Sequence, residues 1–105
     1  MSDARPTLEE LRSRIEVIDR RLVELIGQRR EVALEIGRAK QSLGLPVLDP
    51  QQEAKVVRRA AEIARELGVD EELTRDVIWR IIAAARDAQE GRTRWGPSPS
   101  RADAS

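Results

Sequence analysis

Cysteine and histidine are both absent from this chain of 105 residues, which excludes disulfides, thiol nucleophiles, imidazole acid–base chemistry and the ordinary zinc sites. A metal would need carboxylates alone, and no loop has the spacing to supply them, so neither a metal nor a cofactor is expected. Phenylalanine and tyrosine are missing as well. Trp79 and Trp95 are the only aromatic residues, too few for a platform on which bases or sugars could stack. There is no surplus of either charge, because 19 basic and 19 acidic residues cancel and are spread along the chain. That balance argues against nucleic acid as a partner, since binding it needs a one-sided basic surface. Long apolar runs are lacking too: the longest, Ile81 to Ala85, is far too short for a signal or membrane segment, which makes the cytoplasm the expected location.

What is present is helical patterning on the scale of one domain. No segment alternates like a strand, and the apolar residues recur at helix spacing, so three helices are expected. The first begins at Thr7, where T-L-E-E is a capping-box pattern, and runs to about Leu43, before Gly44 and Pro46. Asp49 as cap and Pro50 at the first position open the second, which stops at Leu67 before Gly68. The third opens at Asp70 and ends near Gly91. Residues 1–6 and 93–105 carry no such periodicity; the latter, rich in Pro, Ser and Arg, reads as a disordered tail, leaving 7–92 as the domain.

The first helix carries an unusually regular stripe. Leu8, Leu11, Ile15, Ile18, Leu22, Leu25, Val32, Ile36 and Ala39 fall on alternating steps of three and four residues, as in a coiled-coil seam. Roughly 36 helical residues make a rod near 54 Å long, whereas a compact domain of this size is only about 30 Å across. Two shorter helices shield part of such a stripe, and a second copy of the long helix is its natural cover elsewhere. A two-fold homodimer is therefore expected.

Charge interrupts the stripe at one place. Arg29 stands where the seam calls for Leu, and Lys40, one of only two lysines beside 17 arginines, lies about 20° round the helix from it. With Ala33 and Ile36 between, the ridge reads cation, small, apolar, cation over roughly 16 Å, which suits a small anionic ligand with an apolar middle. A purely structural reading is also open: Arg29 snorkels or pairs at the seam, and Lys40 complements the helix C-terminal dipole. Arg12 lies about 25 Å from Arg29 and about 100° round the helix, so within one chain it cannot share that ligand. In an antiparallel dimer it can complete the partner's site; otherwise it pairs with Glu16 or Glu9 on the surface. Asp49 and Glu53 suit a helix N-terminus, Gln52 is placed to close a capping box on Asp49, and Gln89 reads from composition alone as a solvated polar residue.

The stretch from Leu8 to Glu53 resembles the start of the all-helical, AroQ-class chorismate mutases. The pieces that carry the resemblance are L-R-x-x-I-x-x-I-D, R-R-E/A-x-A-x-x-I-G-x-x-K and P-V-x-D-P-x-x-E, and continued without gaps it covers roughly residues 7–92. It implies an intertwined three-helix dimer that converts chorismate to prephenate, toward phenylalanine and tyrosine, with no cofactor. It further implies that Arg29, and Arg12 from the partner chain, clamp the two carboxylates. Lys40 and Gln89 donate to the ether oxygen, Glu53 and the Asp49 region meet the ring hydroxyl, and Ile36 and Ile82 wall the ring. Two positions depart from the bacterial pattern: Gln52 stands where many members have Arg, and Ala85 where some have a Ser that helps hold a carboxylate. Lys55 and Arg58 on the next turns are candidates to compensate. Association with another shikimate-pathway enzyme would fit small mutases of this kind. Within the same fold the competing activity is an isochorismate–pyruvate lyase, against which Asp49 and Glu53 argue; from another class, the rival is a non-catalytic helical dimer or regulatory module.

Overall fold

The computed structural model describes residues 4–91, and within them the chain is all-helical: α1 spans Leu8–Ser42, α2 Pro50–Leu67 and α3 Glu71–Gln89. No strand occurs among the described residues, and no helix there is long and apolar enough to cross a membrane. The tail expected at 93–105, with Trp95, and residues 1–3 of the N-terminal segment 1–6 expected to be disordered lie outside the described residues.

Each helix boundary has a local cause. At the start of α1 the Glu10 N–H donates to Thr7 Oγ1 and the Thr7 N–H donates to Glu10 Oε1, both at 3.1 Å, so the capping box closes in both directions. The Thr7 backbone N–H chiefly, and the Thr7 hydroxyl after it, hold the Glu10 carboxyl below its ordinary pKa. The helix stops at Gly44, whose φ of 71° only glycine adopts without strain, and the Leu45 N–H reaches back to the Lys40 carbonyl at 2.8 Å. Asp49 caps α2 by accepting from the Gln52 N–H at 3.1 Å. Only this half of the expected box is seen: no hydrogen bond from the Gln52 side chain to the Asp49 N–H occurs among the described residues. Gly68 ends α2 with the same left-handed turn, and the Val69 N–H closes on the Ala64 carbonyl at 2.8 Å. Asp70 then caps α3 through the Leu73 N–H at 2.9 Å, one residue before the helix proper begins.

The chain divides into two compact units, Met1–Glu31 and Val32–Ser105, with α1 running through the boundary. In the first unit the stripe of α1 is bare: Leu8, Leu11, Ile15, Ile18, Leu22 and Leu25 are all exposed, Leu8 by 62%. In the second, α2 and α3 pack on each other. The most buried side chains are small ones, Ala61 and Ala64 on α2 and Ala85 with Ile82 on α3, and such residues let two helices approach closely.

Across the short turn from α2 to α3, Arg65 grips Glu71 with two hydrogen bonds of 3.0 and 2.9 Å, and Arg75 adds a third contact at 3.3 Å. The Arg65 hydrogen bond holds the Glu71 carboxyl below its ordinary value of 4.5 and raises the guanidinium in turn. A depressed carboxylate stabilises the fold fully above its unfolded pKa and loses that contribution as pH falls through the folded one. Denaturant titrations should therefore find Arg65→Ala less stable than the parent at neutral pH. The gap should narrow below the glutamate range, and a gap that persists unchanged under acid would contradict the role given to this pair.

Candidate active site

Most of the residues singled out in the sequence fall in the second unit, where three helices supply them. Ala33, Gly37 and Lys40 follow one another at steps of four and three on the last turns of α1 and so share one face. Gln89, at the end of α3, lies on that face. Its side-chain amide donates to the Ala33 carbonyl at 2.5 Å, a link between positions 56 residues apart. The close approach depends on Gly37, which is buried: a Cβ there would stand 3.1 Å from Gln89 Cγ and 3.4 Å from its Cβ. Reading Gln89 as a solvated polar residue is thus corrected, since its amide is partly buried and held against a main-chain carbonyl. The sequence reason is the missing Cβ at Gly37, which a pattern of apolar positions does not register.

Lys40 is half-buried, and its Nζ donates to the Val47 carbonyl at 3.1 Å, drawing the loop between α1 and α2 over the end of α1. The ammonium retains two further N–H donors for a ligand. Its structural and functional readings are therefore compatible. Asp49 is exposed and engaged as the α2 cap, while Gln52 beside it is exposed. Gln52 shares a surface cleft with Asp49, Gln51, Ala54, Lys55 and Arg58, so the two cations named as substitutes do flank it.

Glu53 faces inward from the first turn of α2, with only 16% of its side chain exposed, and it meets a residue that sequence reasoning missed. Arg86 Nε on α3 lies 3.6 Å from Glu53 Oε2, an ion pair longer than a hydrogen bond, and that Nε is buried without a hydrogen-bond partner. The signal was available: Arg86 is four residues past Ile82 and three before Gln89, which puts a guanidinium on the same face as a buried isoleucine. Ile82 and Ala85 are both buried, whereas Ile36, expected as a wall, is 48% exposed in the single chain.

Arg29 and Arg12 belong to the first unit, Arg29 half-buried and Arg12 exposed on α1. Next to Arg29, Arg30 is buried and donates to Glu31 Oε1 at 2.6 Å, a charged residue that the heptad frame placed off the seam and passed over. The second unit thus brings together an ammonium, a neutral amide, a carboxylate and a guanidinium across α1, α2 and α3. Such a set can bind and polarise an oxygen-rich anion through hydrogen bonds.

An all-helical chain of three helices is the fold class that the resemblance anticipated, and comparison with known proteins supports the family. Residues 11–90 match the family described as chorismate mutase type II, and the chain belongs to that family. It is 33% identical over 66 residues to a chorismate mutase of Methanocaldococcus jannaschii, a match spanning 63% of this chain and 67% of that protein. Over 75 residues it is 35% identical to a T-protein of Enterobacter agglomerans, covering 71% of this chain and 20% of the relative. A 4-amino-4-deoxychorismate mutase of Streptomyces pristinaespiralis is 31% identical over 75 residues, or 58% of its length. The chain therefore spans about a fifth of the T-protein and most of the archaeal mutase.

Proposed function

We propose that this chain is a chorismate mutase whose domain spans residues 7–92, acting as a homodimer on chorismate. The observation that carries the reading is the seating of the Gln89 amide on the Gly37 face of α1, one turn from the Lys40 ammonium. In this reading the two donors, from different helices, stabilise the ether oxygen as it gains negative charge.

The rearrangement is unimolecular and pericyclic, so no nucleophile or proton carrier is required, which suits a chain without His or Cys. Two contributions are needed: holding the compact diaxial conformer, and stabilising charge as the carbon–oxygen bond breaks. Together they must lower the barrier by about 8 kcal/mol for a millionfold acceleration. In this reading Arg29 and the partner's Arg12 clamp the carboxylates, Lys40 and Gln89 meet the ether oxygen, and Glu53 with the Asp49 region receives the ring hydroxyl. Ile82 and Ile36 wall the ring, while Gln52 and Ala85 leave the carboxylate less well held than in relatives with Arg and Ser. The bare stripe on α1 supports the dimer, because fully burying each Leu or Ile contributes roughly 1.5–3 kcal/mol, and six such residues lie exposed in the first unit. Docking on another shikimate-pathway enzyme belongs to the same proposal.

Loss of chorismate absorbance in the ultraviolet with purified protein is the direct assay. No mutase activity at millimolar chorismate would refute the reading in favour of a non-catalytic dimer. A side-chain amide stays neutral throughout, so activity should hold from about pH 5 to 9, where a glutamate donor would have to be protonated first. A steep loss between pH 5 and 7 with the helices intact would remove Gln89 from its role. A second substrate comes from the name of the Streptomyces relative: 4-amino-4-deoxychorismate, in which an amine replaces the ring hydroxyl.

A further inference from the structure

We propose that Arg86 decides between these two substrates, making the site selective for a hydroxyl over an amine on the ring. The inference rests on the reading above, in which the ring substituent meets Glu53. Two features of the pair carry it. Arg86 and Glu53 are 3.6 Å apart, too far to saturate each other, and both side chains are largely withdrawn from water, at 27% and 16% exposed. Arg86 Nε is in addition buried with no hydrogen-bond partner, and an unsatisfied buried donor signals a missing acceptor.

A hydroxyl matches this pair chemically because it is both donor and acceptor. It can donate to the Glu53 carboxylate and accept from Arg86 Nε–H, which satisfies both partners at once. A protonated amine has donors only, so it leaves the Arg86 donor unmet and sets a second positive charge beside the guanidinium. With an uncompensated Glu53, the amine would instead gain a full ion pair. Arg86 thus reverses the preference that the carboxylate alone would impose. It is a specificity residue whose partners are a ring substituent and a carboxylate, and its neighbours on the same helix face are Ile82 and Gln89.

The experiment compares kcat/KM for chorismate and for 4-amino-4-deoxychorismate in the wild type, Arg86→Met and Arg86→Lys. The wild type should favour chorismate by about a hundredfold, near the top of the range expected when one buried donor is left unsatisfied. Arg86→Met, which keeps the aliphatic stem but no donor or charge, should shrink that ratio at least about tenfold. Arg86→Lys retains the charge without the Nε geometry and should fall between; it also serves if the methionine variant fails to fold. A ratio unchanged in the variants, with both activities falling together, would make Arg86 a structural residue and overturn the proposal, as would a wild type that prefers the amine. Turnover of neither substrate by the wild type would sink the mutase reading and this inference with it, whereas normal chorismate turnover with an unmoved ratio sinks the inference alone.

Discussion

Replacing Lys40 with alanine should lower kcat/KM for chorismate at least about a thousandfold, equivalent to about 4 kcal/mol of transition-state stabilisation, while the helical circular-dichroism signal is retained. The structure separates the two consequences of this substitution. The bond from Nζ to the Val47 carbonyl is a single, partly buried one, so its loss costs about 0.5–1.5 kcal/mol and a few degrees in thermal midpoint. An ammonium facing developing charge in a site shielded from water contributes far more to the rate than that bond does to the fold. The measurement is therefore paired: steady-state kinetics beside a melting curve. A variant that melts normally and still turns over chorismate within about tenfold of the parent would show that the loop contact is the whole purpose of Lys40.

Mixing two inactive variants should restore activity. If each site takes Lys40 from one chain and Arg12 from the other, an Arg12→Ala chain paired with a Lys40→Ala chain forms one site with both cations and one with neither. Random reassociation after unfolding makes half the dimers mixed, and half of their sites are intact. The mixture should therefore recover about a quarter of wild-type activity, although each parent alone has almost none. Arg12 itself is exposed and stands in the first unit, as do the exposed Leu8, Leu11, Ile15, Ile18, Leu22 and Leu25 of the stripe. A mixture as inactive as its parents would refute the shared site, and sedimentation showing a monomer at assay concentration would refute the dimer beneath it.

The helices were legible in the sequence to within a residue or two because their signals are local. Thr7 and Glu10, Asp49 and Pro50, and Gly68 are near neighbours of the backbone groups they satisfy, so the caps can be read from a few consecutive letters. The site was legible only in part. Arg29 and Lys40 stood out by interrupting a periodic apolar face, whereas Asp49, Glu53 and Gln89 carried ordinary structural explanations and were distinguished by family resemblance. The spacing that sets Arg86 on the face of Ile82 and Gln89 was legible, but what that face meets, Glu53, lies 33 positions earlier on another helix and was not. Gly37 escaped for a similar reason: a glycine within a helix reads as a mild weakness until the side chain lying over it is known.

That glycine carries one more consequence. A methyl group at position 37 would push against the Gln89 side chain at 3.1 Å, near the limit for carbon atoms in contact, and so would tilt the amide away from the Ala33 carbonyl without opening a hole in the core. The seat beneath Gln89 has the tolerance of a machined part, a few tenths of an ångström. Its fit holds the Gln89 amide on the Ala33 carbonyl, so the conformational entropy of that side chain is already spent when the chain has folded.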